Sequence, residues 1–245
     1  MEKGNISGVL QSPGLLAKKP IIGILMFVIG SLIFIILAYS LVTHGILMKW
    51  DLPIAEYFHN IALKSSPLVI NIMIAGYYIG KEGIVFIAIL LGLYYLYKRF
   101  WKEFVMVAVG FGGGTIIFEI LSLSFKRSRP FLLFKEQIWP GSPNIPGFPS
   151  GHTISIVICI GFLIYLFVPK IKSYLGKTLV IIAGLSIMFY IGFSRLYIGD
   201  HYLTDLISGY AVGVAWFGLA YTSVELYFKK RYERKEKNNE RGIHK

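Results

Sequence analysis

Long apolar runs without charge decide what this chain can fold into. Ile21 to Thr43 is about 23 residues with no Asp, Glu, Lys or Arg, long enough to cross a bilayer with some tilt. Gly83 to Tyr97 is a second run and Phe104 to Phe125, interrupted only by Glu119, a third. Thr153 to Val168, Thr178 to Phe193 and Leu203 to Phe228 complete a set of six predicted spans. Composition agrees: 55% of the residues are hydrophobic and 16% charged, against roughly 25% charged in an ordinary globular chain. With a mean hydropathy of +0.63, the chain is no secreted disulfide scaffold, disordered tail or cytosolic enzyme. The single cysteine, Cys159, lies inside an apolar run and excludes an intramolecular disulfide or a cysteine-based zinc site.

The expectation is an all-α bundle of six transmembrane helices. Residues 1–228 form one membrane-embedded domain and residues 229–245 a basic cytoplasmic tail. Between the first two runs, Trp50 to Gly80 mixes Asp51, Glu56, His59 and Lys64 with apolar residues. The spacing of Leu52, Ala55, Phe58, Ile61 and Ala62 predicts an amphipathic extracytoplasmic helix lying at the membrane surface. Within that stretch, Met73 to Gly80 is left as a short or re-entrant span. Tyr94, Tyr95, Tyr97 and Trp101 read as an aromatic belt at the inner interface. Placing both termini in the cytoplasm puts 17 of the 25 Lys and Arg residues on the inner side, as the positive-inside bias requires. The net charge of +12 is therefore a topology signal and a surface for anionic lipid, not a nucleic-acid footprint. Five of the eight outer cations lie in two places, Lys126 to Lys135 and Arg195. Positive charge on that side calls for an anionic ligand.

Three outer segments hold nearly all the reactive side chains. The first contains Lys126, Arg127, Arg129 and Pro130, the second is Pro149-Ser150-Gly151-His152, and the third runs from Ser194-Arg195 through His201 to Asp205. The predicted topology puts all three on one face. Guanidinium groups pair bidentately with phosphate and stay charged. Ser150, Gly151 and His152 open a helix, where free backbone N–H groups favour an anion. His201 and Asp205 are four apart and share a helical face, so the carboxylate can orient one ring nitrogen and leave the other as a nucleophile. His152 is then available to protonate a leaving oxygen. Taken singly, each segment has a structural reading as a loop, a cap or a hydrogen-bonded pair; their conjunction points to a site. Asp200 is expected to be a solvated turn acid, Glu119 to line a lipid entrance or bond a neighbouring helix, and Gly110 and Gly112 to Gly114 to allow close helix packing. The Phe131 to Pro146 insert reads as a loop shaping the substrate site.

These segments resemble the type 2 phosphatidic acid phosphatase superfamily of integral membrane lipid phosphatases. Its pattern is Lys, six residues, Arg-Pro; then Pro-Ser-Gly-His; then Ser-Arg, five residues, His, three residues, Asp. The second and third parts match without a gap. In the first, Arg129-Pro130 is present, but Ser122 stands where the family has lysine, and Lys126 or Arg127 is the candidate replacement. The resemblance implies that His201 attacks phosphorus to give a phosphohistidine, Asp205 holds its tautomer, and His152 moves the proton of the leaving oxygen. It implies that Arg129, Arg195, Ser150, Gly151, Ser194 and Lys126 bind the phosphoryl group, with no metal or other cofactor. The implied partners are the bilayer and a phosphorylated lipid: phosphatidylglycerophosphate, phosphatidic acid or a polyprenyl diphosphate. A lipid phosphotransferase using the same histidine and a non-catalytic lipid transporter or scaffold are the alternative readings.

Overall fold

The computed structural model describes residues 14–139, 141 and 144–243. Residues 1–13 with Lys3, the end of the basic tail with Lys245, and residues 140, 142 and 143 of the Phe131–Pro146 insert lie outside that range. Among the described residues there are helices and no strands. Six helical segments are long and apolar enough to cross a membrane: Pro20–Val42, Pro67–Tyr97, Trp101–Leu133, Gly151–Lys170, Tyr174–Tyr197 and Leu203–Arg234. The protein is a multi-pass helical membrane bundle. Helices are the economical solution in lipid, where each backbone polar group must find its partner within its own segment. We name the helices α1 (Pro20–Val42), α2 (Asp51–Leu63), α3 (Pro67–Tyr78), α4 (Ile84–Tyr97), α5 (Trp101–Val107), α6 (Gly113–Phe125), α7 (Gly151–Phe167), α8 (Tyr174–Tyr197) and α9 (Leu203–Ile243).

The central post is α9. Two-thirds of its spanning window (67%) is buried inside the protein, against 17% for α1, whose flanks present Ile and Leu to the surroundings. With apolar lipid outside, burial of apolar surface does not drive helices together, so close packing of small residues does that work. At the α1–α9 crossing, a Cβ on Gly30 would stand 2.5 Å from the Ala211 carbonyl oxygen, and one on Gly218 would stand 2.5 Å from that of Gly23. The glycine run in the third span acts the same way. Trp216 packs on Gly113 and donates its indole N–H to the Gly110 carbonyl at 3.0 Å.

The amphipathic surface helix covers only Asp51–Leu63, shorter than the predicted stretch. Its Ala55 and Ala62 are buried and Phe58 packs edge-on against Phe193 of α8. The chain then restarts at Pro67, with Ser66 as N-cap accepting from the Val69 N–H. From there α3 runs through a π-helical turn, Ile79–Gly83, straight into α4 as one 31-residue span. The polar Lys81 and Glu82 read as an end of a span, yet Lys81 is bonded to the Tyr77 hydroxyl at 3.0 Å and sits inside one. Tyr95, expected in an interfacial belt, is instead buried against Phe162 and Phe100.

At the end of the bundle away from the three motifs, Glu225 of α9 is buried. It accepts from Gly14 N–H, Lys102 and the Tyr165 hydroxyl at 2.8, 3.2 and 2.8 Å. At the motif end, Phe148 packs between Phe34 and Phe125 and anchors the segment leading into α7.

Candidate active site

Local backbone rules bring the third motif together. Helix α8 ends in a Schellman motif: Gly199, at φ +75°, donates to the Leu196 carbonyl, and Asp200 N–H reaches back to that of Arg195 at 2.9 Å. Glycine at this left-handed position turns the chain so that Asp200 and His201 fold back over Arg195. Two residues on, α9 begins, and Asp205 in its first turn accepts from the Tyr202 N–H through Oδ2 at 2.9 Å, half of a capping box. Loop and helix start are thus self-capped. The second motif docks onto them, because Ser150 N–H donates to the Asp205 carbonyl at 3.0 Å.

Around this junction His201, Arg195, Asp200, Asp205 and Ser150 are all at most 1% exposed and Arg129 is 5% exposed. Burying so much charge is costly unless each group is paired. Arg129 donates Nη1 to Asp200 Oδ1 at 2.5 Å and Nε to the Ile145 carbonyl at 2.8 Å. Its Nη1 also lies 3.4 Å from His201 Nε2. Arg195 is held by the Ser194 hydroxyl and by the Met73 carbonyl, the latter at 3.2 Å, and its guanidinium lies 4.8 Å from the centre of the Tyr77 ring. Its Nη1 is 3.7 Å from Asp200 Oδ2. His201 Nδ1 stands 3.6 Å from Asp205 Oδ2 and Nε2 stands 3.7 Å from Asp200 Oδ2. The rings of His152 and His201 are 6.2 Å apart.

Among the described residues, nine buried side-chain atoms lack a hydrogen-bond partner, and five of them belong to this cluster: Ser150 Oγ, His152 Nε2, Arg195 Nη1, Asp200 Oδ2 and His201 Nδ1. Buried polar groups are normally satisfied, so such a concentration marks a place built for a polar ligand. His152, Asp200 and His201 offer ligand atoms within 4.8 Å of one another, a spacing that admits a cation. Two guanidinium groups converge on the same carboxylate, however, and their charge favours an anion there.

Burial is the main force on His201, pushing its pKa below the ordinary 6.5, and the Arg129 charge adds to it against the opposing pull of Asp205 and Asp200. The imidazole is therefore neutral at neutral pH. Asp200 would be pushed up by burial, yet the positive groups around it, His201, Arg129 and Arg195, hold it down to about 2. It is a permanently charged member of the cluster and not the solvated turn acid its position in a loop suggests.

The first motif behaves differently from its reading in the sequence. Ser122, in the place of the family lysine, is buried with its hydroxyl on the Glu119 carbonyl. Lys126 caps α6 in the left-handed conformation and is exposed, outside the cluster. Arg127 is committed elsewhere. It donates to Asp205 Oδ1 at 2.6 Å, to Asp51 Oδ2 at 2.7 Å and to the Thr204 hydroxyl at 2.8 Å, over the face of Tyr202. Neither Lys126 nor Arg127 fills the vacant lysine position. Asp51, which the sequence offered only as a polar residue of a surface helix, is 2% exposed and joins α2 to α9 by accepting from Thr204 as well. In the sequence it reads as an ordinary acid in the first turn of an amphipathic helix, and its role is unreadable without knowing that Arg127 lies opposite.

A cavity of about 370 Å³ opens beside the cluster between the second, third and fourth spans. Ile84, Val85, Ile89 and Phe111 make its wall apolar, Arg129, His152 and Lys81 line it as polar groups, and Gly151 also lines it. Glu119 also lines it. Ile145 of the insert contributes to the wall. His201 is absent from the lining, its ring 6.2 Å from that of His152.

The arrangement defines a class: a six-span helical membrane protein with a buried cluster of arginines, histidines and aspartates beside an apolar cavity. The PAP2 superfamily model matches residues 103–229, half of the chain, and the protein belongs to that superfamily. It is 31% identical over 128 residues to phosphatidylglycerophosphatase B of Bacillus subtilis, covering 51% of this chain and 59% of that protein. It is 30% identical over 146 residues to the lipid A 4'-phosphatase of Porphyromonas gingivalis, covering 56% and 58%. The chain thus spans less than two-thirds of the length of these curated relatives. The crystal structure of the transmembrane PAP2-type phosphatidylglycerolphosphate phosphatase from Bacillus subtilis superposes with a TM-score of 0.63 at 25% identity, over 81% of this chain and 94% of that one. Aquifex aeolicus LpxE shares the fold at a TM-score of 0.52 and 21% identity, over 67% and 92%.

Proposed function

We propose that the protein is a metal-independent lipid phosphatase of the cell membrane, with both termini cytoplasmic and the site on the extracytoplasmic side. The observation that carries the reading is the set of unpartnered buried polar atoms gathered between two arginines and two histidines. A phosphoryl group placed there would accept from Arg129, Arg195 and Ser150, and the N-terminal amides of α7 add their dipole. The same arrangement supports in-line displacement. His201 Nε2, neutral and oriented from its other nitrogen by Asp205, attacks phosphorus and forms a P–N bond as the P–O bond to the lipid breaks. His152 gives its proton to the departing lipid oxygen. It then takes a proton from water, whose oxygen attacks phosphorus, breaks the P–N bond and releases inorganic phosphate. The 3.6 Å gap between His201 Nδ1 and Asp205 Oδ2 is of the kind that tightens once ligand is bound. Ser194 fixes Arg195 and Gly151 lets α7 approach Phe118; both act on the cradle. Orientation follows from the cation distribution, with the basic end of α9 inside.

The test is phosphate release by the detergent-purified protein from phosphatidylglycerophosphate, phosphatidic acid, a polyprenyl diphosphate and lipid A. The expected result is release from at least one lipid that His201→Ala lowers by several orders of magnitude. Release from none, or equal release by the variant, rejects the proposal.

A further inference from the structure

Of the two lysine and arginine side chains that line the cavity among the described residues, Arg129 and Lys81, the proposed chemistry leaves Lys81 unused. Its place in the fold is specific. The π-helical turn Ile79–Gly83 inserts into an otherwise α-helical span, a deviation frequent at functional sites. The turn presses Gly80 onto the site, where a Cβ would meet Ile191 Cγ2 at 2.8 Å and His152 Cδ2 at 3.1 Å. The next residue, Lys81, is thereby delivered to the cavity wall. Its ammonium donates to the Tyr77 hydroxyl at 3.0 Å and lies 5.2 Å from that ring's centre. The same ring sits 5.1 Å from His152 and 4.8 Å from the Arg195 guanidinium. Tyr77 therefore sets the position of Lys81 relative to the phosphate cradle.

Lysine within a membrane span is costly and is normally retained for a ligand or a partner. The acidic partner of Lys81 is its neighbour Glu82, at 3.6 Å with both side chains about half exposed, a pair worth little in such a setting. Geometry says which part of a substrate passes this lysine. In an in-line displacement the leaving oxygen departs on the side opposite the nucleophile. His152 lines the cavity and His201, its ring 6.2 Å from that of His152, does not, so the leaving group extends from His152 into the cavity, past Lys81, before its hydrocarbon reaches the apolar wall.

Resting on the phosphatase reading, we propose that Lys81, positioned by Tyr77, binds a second phosphate carried by the leaving group. The preferred substrates are then lipids in which the leaving group is itself anionic: a phosphatidylglycerol phosphate, whose leaving group carries a phosphodiester, or a polyprenyl diphosphate, whose leaving group is a polyprenyl phosphate. Phosphatidic acid, which leaves as neutral diacylglycerol, gains nothing from Lys81.

The experiment compares the wild-type chain with Lys81→Met and Lys81→Arg on these three lipids in mixed micelles, following kcat and KM for phosphate release. A parallel measurement uses the His201→Ala background, in which intact lipids bind without turnover, and records Kd with and without Lys81→Met. For the two lipids with an anionic leaving group, Lys81→Met is expected to lower kcat/KM and weaken binding by about ten-fold or more, as for the loss of one charge-assisted hydrogen bond. Phosphatidic acid should stay within about two-fold and Lys81→Arg should retain most of the wild-type value. Whichever of the two anionic classes shows the larger Lys81 effect identifies the natural one. An equal loss on all three lipids would mean that Lys81 serves the scissile phosphoryl group and would overturn the proposal, as would no loss on any. Wild-type protein that binds the anionic lipids in a Lys81-dependent way but releases no phosphate would overturn the phosphatase reading and leave the subsite standing.

Discussion

Replacing Arg127 with alanine separates a positioning role from a phosphate-binding one. In the structure its guanidinium is shared between two carboxylates, Asp205 at 2.6 Å and Asp51 at 2.7 Å, whose side chains are 0% and 3% exposed. Removing it leaves two buried negative charges with no cation between them. Breaking a buried pair by deleting one partner costs about 3–5 kcal/mol. For a chain of this size each kcal/mol moves the unfolding midpoint by about 2–4 °C, so the expected fall is roughly 6–20 °C. Lysine should recover part of it, because a single ammonium keeps the charge but cannot fork between both acids. Asp51→Asn in the Arg127→Ala background should lose less than the sum of the two single changes, since it removes one of the stranded charges. The assays are thermal unfolding of the purified protein in detergent and steady-state phosphate release below the melting range. The kinetic expectation is a lower kcat at nearly constant KM, because Asp205, and through it His201, loses its anchor. An unchanged melting temperature with a raised KM would refute the argument and return Arg127 to the cradle.

Three further outcomes follow from the site. Asp200 occupies the cradle with a carboxylate held down at about 2, so Asp200→Asn removes a resident competitor and should lower the inhibition constant for inorganic phosphate about ten-fold; a constant that rises contradicts this. The depressed pKa of His201 means that its neutral form persists as pH falls through the ordinary histidine value of 6.5, and kcat/KM should decline only below that point. An acid limb centred at or above 7 would show that another group is being titrated. Activity is expected to survive prolonged treatment with a strong chelator, measured as initial rate before and after dialysis; loss restored by an added divalent ion would bring the His152, Asp200 and His201 cluster back as a metal site.

Much of the architecture is legible in the sequence because its determinants are local. Twenty-residue apolar runs span a bilayer wherever they occur, and the six expected spans correspond to six helical segments among the described residues, although the second begins sixteen residues before the run that announced it. The hidden part is Pro67 to Glu82, where Asn71, Lys81 and Glu82 lower the hydropathy. The ammonium of Lys81 is taken up by Tyr77 and by a cavity, neither of which has a sequence signature. The cluster itself is legible as three motifs because glycine and a first-turn aspartate impose their own turns: Gly199 reverses the chain and Asp205 caps the helix that follows.

Charge partnership is another matter. Sequence order makes Arg127 a neighbour of Arg129 and Asp200 a neighbour of His201, which suggests shared roles for the first pair and solvent for the second acid. Packing sends Arg127 toward Asp51, 76 positions away, and folds Asp200 against Arg129, 71 positions away. Helix periodicity, span length and turn chemistry act over a few residues, and the chain determines them on its own. Which buried cation meets which buried anion depends on how helices far apart in the chain come to rest against one another. That decision belongs to the tertiary structure, because inside a bundle an ion's energy is set by the charges within a few ångströms and not by its neighbours along the backbone.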